Sequence, residues 1–265
     1  MPISFIDFAA IATSAAVAAA INSVAGGGTF LTFPALTGLA HLSEKAANMT
    51  STLGLWPGSA SSIIAARDDL KRVPKSMLIL YSAISLVSGA TGAILLTLTR
   101  PQTFTLVIPW LLAFATIIFA FSKPIARWAG RHHGNRSLRW TLLVAAVQVV
   151  IALYGGYFGA GIGVLMLAGL SFAGLDDIHQ MNALKVLLAT LINGTAAAIF
   201  IARSFSAPPA DRIHWPLAAA MVVASTLGGF LGMRLARRIS QNHLRHFILA
   251  VGICLTAIYF YRAYA

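Results

Sequence analysis

Acidic residues are scarce in this sequence, seven Asp and Glu in 265 residues, and there is one cysteine, Cys254. Charged residues make up 10% of the chain, against roughly 25% in an ordinary soluble domain. So little charge cannot clothe a water-facing surface. The lone cysteine lies in an apolar run, excludes an intrachain disulfide and says nothing about compartment. Asp, Glu and His are almost missing from the apolar segments, which speaks against an integral membrane enzyme and against any catalytic residue. No HExxH is present, and His132-His133 has no cysteine or acidic partner at metal-ligand spacing, so no metal is expected. The Gly-rich run at 26–28 lacks the lysine and the length of a P-loop, so neither ATP nor another cofactor is implied. The opening MPISFIDF has no basic n-region, so the first apolar segment is expected to be retained, not cleaved.

What the chain has in quantity is apolar sequence, 58% of residues. Several runs approach or exceed the roughly 20 residues a helix needs to cross a bilayer. The chain reads as an all-α, polytopic membrane protein with the lipid bilayer as its main partner and no room for a separate soluble domain. The longest polar connector, near 122–139, is short and basic. The net charge of +12 then reads as basic loops on the cytoplasmic side and not as a nucleic-acid surface.

Apolar runs and their breakers place helical segments near 5–22, 29–40, 46–66, 76–98 and 103–121, and again near 138–156, 162–174, 180–202, 214–236 and 244–263. The two sets match in order. At one constant offset Asn48 falls opposite Asn182, Gly27 opposite Gly161 and Ser51 opposite Lys185. Beyond Arg67 the match drifts by a few residues. We therefore divide the chain into a first repeat, 1–122, a basic cytoplasmic connector, 123–137, and a second repeat, 138–265.

Charge distribution bears on orientation. Arg67, Lys71, Arg72 and Lys75 mark one basic loop, and Lys123, Arg127, Arg131, Arg136 and Arg139 mark the connector. In the second half the cluster has moved to Arg234, Arg237, Arg238 and Arg245, while the counterpart of 67–75 keeps only Arg203 and Arg212. Charge that swaps between equivalent loops is what two inverted repeats produce. The loops at 67–75, 123–139 and 234–245 are expected to be cytoplasmic. Each repeat would hold a Gly-broken helical hairpin plus three spanning helices. The hairpins' second arms, about 18–20 Å long at 1.5 Å per residue, fall short of the ~30 Å core. Re-entrant hairpins and fully spanning pairs both fit the sequence.

The chemistry gathers at the breaks. Glycine breaks inside apolar segments leave backbone groups that need partners, and paired breaks in duplicated halves point to a transporter's substrate site. Gly26, Gly27, Gly28 and Thr29 in one half, and Gly159, Gly161 and Gly163 in the other, offer amides beside a helix N-terminus, a natural anion site. Close helix packing through small residues is the competing use. The next helices add Asn48, Thr50, Ser51 and Thr52, and Asn182, Lys185 and Asn193, with Thr190 nearby. Residues 182, 185, 189 and 193 share one face. Lys185 would lie about 10 Å deep in a helix that begins near Ile178. A cation there marks a functional site with a bound anion as partner, with snorkelling to the interface as the alternative. Asn22 and Gln148 are weaker candidates of the same kind. Trp128, Trp140 and Trp215 read as interface anchors. Pro34, Pro57 and Pro109 read as kinks or caps, with Trp56-Pro57 between Gly54 and Gly58 as a candidate hinge. Asp68-Asp69 and Asp176-Asp177 read as loop caps, which leaves Asp7 and Glu44 as the only candidate proton sites.

These runs resemble the sulfite exporter TauE/SafE family of bacterial membrane permeases over nearly the whole chain. The resemblance rests on Ala20-Ile-Asn-Ser-Val-Ala-Gly-Gly-Gly-Thr29, Phe33-Pro34 and Ala47-Asn-Met-Thr-Ser-Thr52. In the second half it rests on Gly155-Gly-Tyr-Phe-Gly-Ala-Gly-Ile-Gly163 and the run from Asn182 to Asn193. The first-repeat run departs in having Gly-Gly-Gly-Thr where a further glycine is often found. The resemblance implies transport of small sulfur-containing anions such as sulfite, organosulfonates or related carboxylates across the cytoplasmic membrane. The expected partners are therefore a small anionic substrate and a coupling proton or cation. A passive anion channel is the rival reading.

Overall fold

The computed structural model describes residues 3–24, 26–130, 138–175, 177–235 and 241–264. Ala25, Arg131, His132, His133, Arg136, Asp176, Arg237 and Arg238 lie outside the described residues, as do the side chains of Lys123, Arg127, Trp128 and Arg234. Among the described residues, ten α-helices and one 3-10 turn follow in order: α1 Phe5–Val24, α2 Thr29–Gly38, α3 Glu44–Leu70, α4 Lys75–Leu98 and α5 Pro101–Gly130. The second half holds α6 Leu138–Tyr157, α7 Ile162–Leu170, α8 Ile178–Ser204, a 3-10 turn Pro209–Asp211, α9 Trp215–Leu235 and α10 Gln241–Tyr264.

Helix ends follow capping chemistry more than hydropathy. α3 begins at Glu44 because the Ser43 hydroxyl accepts from the Ala46 amide at 3.2 Å. α8 begins at Ile178 because the Asp177 carboxylate accepts from the His179 amide at 2.8 Å. Each such bond satisfies one of the orphan amides of a helix start. α3 and α5 run several residues past their apolar segments, since polarity marks where a helix leaves the bilayer and not where it stops. The short arms end sooner than the apolar pattern predicts, at Gly38 and Leu170. At 10 and 9 residues they rise about 15 Å, half the hydrocarbon core.

Seven helices of the described residues are long and apolar enough to span: α1, α4, α5, α6, α8, α9 and α10. The protein is a multi-pass, all-α membrane protein. Its exposed side chains include Ile79, Val87, Leu98, Trp110, Val150, Val223 and Ile253, a lipid-facing belt. The 27-residue α3 is long enough but too polar to join that set. It packs against α8, α9, α1 and α2, and a helix so enclosed need not be apolar.

Packing follows the two halves. α1 packs on α9 and α4 on α6; α3 packs on α9 and α8 on α4; α3 meets α8, and α5 meets α10. Exchanging α1–α5 with α6–α10 swaps the first two of these pairings with each other and the next two likewise, and leaves α3 with α8 and α5 with α10 unchanged. Glycines make the approaches close. A methyl group on Gly92 would strike the Leu153 carbonyl of α6, and one on Gly228 would strike the Ala16 carbonyl of α1. Two single bonds correspond in the same way. Asn48 Nδ2 donates to the Tyr157 carbonyl at 3.1 Å, and Asn182 Nδ2 donates to the Ser23 carbonyl at 3.5 Å. The two donors and the two acceptors are separated by the same offset that aligns the halves of the sequence. Each asparagine therefore reaches the end of the other half's first hairpin arm.

Candidate functional site

The two glycine breaks come together in the interior. A methyl group built on Gly26 would lie 2.7 Å from Gly163 Cα, and one on Gly163 would lie 2.8 Å from Gly26 Cα. Gly26, Gly27, Gly159 and Gly161 have φ of 78°, 102°, 75° and 72°, the left-handed region that glycine enters at no steric cost. The chain can thus reverse between α1 and α2, and between α6 and α7, with the two reversals in contact.

Beside this contact is a cavity of about 30 Å³, room for two or three water-sized groups. Its wall includes Gly26, Thr29, Gly159 and Gly163 from the breaks, Thr52, Ser59 and Ser62 from α3, and Lys185 and Asn193 from α8. Thr29 and Gly163, which fall opposite each other at the offset that aligns Asn48 with Asn182, are first-turn residues of the two short helices. A helix N-terminus adds partial positive charge there.

Lys185 is 1% exposed, and Nζ donates to the Asn22 carbonyl at 3.2 Å. That is the partner of one of its three N–H donors. Its stem lies along Gly163, 3.6 Å from where a Cβ would stand. No Asp or Glu lines the cavity among the described residues. A lysine side chain and the first turns of two helices therefore border a small space that no carboxylate of the described residues lines.

The other candidate residues are placed nearby in supporting contacts. Gly28 donates its amide to Asn22 Oδ1 at 2.7 Å, and a methyl group there would strike the Ala18 carbonyl. Gly27 packs against Ile248, and Gly161 against Phe30 and Ala115. Thr50 Oγ1 accepts from the His214 amide at 3.1 Å, and the Ser51 and Thr32 hydroxyls pair at 2.7 Å. Asn48 and Asn182 hold the hairpin arms as described. Gln148 donates to Ser85 Oγ at 3.0 Å, tying α6 to α4. Asn22 caps the first break, and Thr190 bonds its own helix at the Val186 carbonyl. Ser23, Ser59, Ser62 and Phe158 reach the cavity without having been singled out. Thr52, Ser59 and Ser62 recur at helical spacing, so a polar stripe along α3 was the available signal.

The sulfite exporter TauE/SafE family matches residues 11–260. The chain belongs to that family. Relatives of known name agree on the general role. A "probable membrane transporter protein" of Xylella fastidiosa (strain 9a5c) is 24% identical over 94% of this chain and 92% of its own. A protein of the same name from Haemophilus influenzae is 25% identical over 91% and 89%. The "probable membrane transporter protein YfcA" of Escherichia coli (strain K12) is 26% identical over 92% and 86%. No solved structure matches the chain. As a TauE/SafE protein with seven candidate spans among the described residues, the chain is a probable membrane transporter.

Proposed function

We propose that this protein is a secondary transporter, an exporter of a small sulfur-containing anion such as sulfite or an organosulfonate, working across the cytoplasmic membrane by alternating access. The observation that carries the reading is Lys185, a buried lysine on a cavity that no carboxylate of the described residues lines, beside the N-termini of two short helices. A buried charge is strongly disfavoured unless paired, and an anion supplies the pairing. In this reading Lys185 is the countercharge, and the Thr29 and Gly163 amides with the Thr52 and Asn193 side chains donate or accept around the anion. A cavity of about 30 Å³ favours an anion of few heavy atoms. The family name supports a sulfur oxyanion. Opposite orientation of the two repeats would let the halves rock about the site and open it to each side in turn.

Uptake of labelled sulfite into proteoliposomes of the purified chain tests this, with sulfonates and carboxylates as competitors and ion gradients imposed. Accumulation above equilibrium that sulfonates block is the expected result. Flux that only equilibrates would mean a passive channel, and block by carboxylates alone would move the substrate out of the sulfur class.

A further inference from the structure

The internal repeat makes an uneven pair. At the end of α1 the Asn22 carbonyl accepts from the Lys185 ammonium, and the Ser23 carbonyl accepts from Asn182. The last carbonyls of a helix lack amide partners and carry partial negative charge, which the ammonium neutralises. Shifted by the offset of the repeat, the same place is the end of α6, where Asn22 becomes Gly156, Ser23 becomes Tyr157, Asn182 becomes Asn48 and Lys185 becomes Ser51. The Tyr157 carbonyl accepts from Asn48 as its counterpart does. No side chain of the described residues bonds the Gly156 carbonyl, and the Gly159 amide turns back to the Tyr154 carbonyl. Here the fixed ammonium is missing.

A second observation points to what takes its place. Asn48 is 1% exposed, yet its Oδ1 is buried with no hydrogen-bond partner. Such an orphan acceptor is costly to leave buried. Its own amide nitrogen, on the Tyr157 carbonyl, keeps Oδ1 close to the helix end. Ser51, fully buried, adds a hydroxyl oxygen one turn along α3, paired with Thr32. Asn182 Oδ1 also lacks a partner, but there Lys185 lies one turn on and supplies the charge. Asn48 Oδ1, the Ser51 hydroxyl and the last carbonyls of α6 are all neutral oxygens. Divalent ions want carboxylates, and no group of three or more His, Cys, Asp or Glu stands ready for one among the described residues. Unwound carbonyls and half-helix C-termini suit a monovalent cation.

We propose that the end of α6, faced by Asn48 and Ser51, binds a monovalent metal cation, sodium in the first instance, in the place that the Lys185 ammonium occupies in the other half. Asn48 Oδ1, the Gly156 and Tyr157 carbonyls and the Ser51 hydroxyl are its ligands. Its role as coupling ion rests on the transport reading above; its existence does not.

The test is thermal unfolding of the purified full chain in sodium chloride against N-methylglucamine chloride at equal ionic strength. Sulfite is added to the wild type separately as its N-methylglucamine salt. Saturating sodium is expected to raise the wild-type midpoint by about 5 °C. Asn48→Leu, which removes the orphan oxygen, and Ser51→Lys, which builds the second ammonium, are each expected to unfold cooperatively with no sodium response. A wild type indifferent to sodium, lithium and potassium overturns the site, and so does an undiminished sodium response in either cooperatively unfolding variant. A sodium response without any sulfite response supports the cation site while removing the sulfur-anion reading.

Discussion

A lysine ammonium 1% exposed whose hydrogen-bond partner is the Asn22 carbonyl has less negative charge around it than burial demands. Two explanations compete. The first is structural: Lys185 caps α1, as lysines near helix C-termini do. The second is the anion. Lys185→Gln separates them, because glutamine keeps an N–H donor for the Asn22 carbonyl and loses the charge. If the anion is the partner, the variant should unfold close to the wild-type temperature while its sulfite KM rises at least ~30-fold, the scale of losing one side of a desolvated charge pair. Uptake into proteoliposomes reads the KM, and the melting curve reads the cap. An unchanged KM with a lowered melting temperature would return Lys185 to a capping role.

The two hairpins depend on how closely their tips approach. With Gly26 and Gly163 methyl positions 2.7 and 2.8 Å from opposing Cα atoms, any side chain must push backbone from backbone. Gly163→Ala is expected to lower stability by about 2–3 kcal/mol and to lose most transport, since over-packing at a rigid contact has no flexible atom to yield. Gly38→Ala is the control, because nothing lies within 4 Å of its would-be Cβ. Denaturation and uptake of the two variants side by side check this. The breaks themselves were legible in the sequence, because glycine runs inside apolar segments have few other causes. So was Lys185, a charge at a depth where charge is expensive. The ends of α3 and α5 were hidden, because hydropathy reports lipid and a helix continues into water. Ser59 and Ser62 were overlooked for a related reason. On an enclosed helix a serine stripe looks like ordinary small-residue packing until the neighbouring helices show which side is open.

The exchange of α1–α5 for α6–α10 preserves the main helix pairings, and the bonds of Asn48 and Asn182 correspond under the same exchange. Transport by rocking halves requires something more, that the repeats face opposite ways. The charge pattern argues for it. Exposed Arg67, Lys71 and Arg72 end α3, whereas the equivalent stretch after α8 carries only Arg203 and Arg212. If positive loops stay inside, these two turns lie on opposite sides of the membrane. Cys254, exposed on α10, is the chain's one thiol and must first be replaced, as Cys254→Ser. Arg72→Cys and Arg212→Cys, each exposed at its turn, are then introduced singly and probed with a membrane-impermeant maleimide. In inside-out vesicles Arg72→Cys should react and Arg212→Cys should not, and in spheroplasts the order should reverse. Labelling of both from one side would make the repeats parallel. The broken pairs would then each count as one crossing, and an exchange of outward and inward access between mirror halves would lose its structural basis.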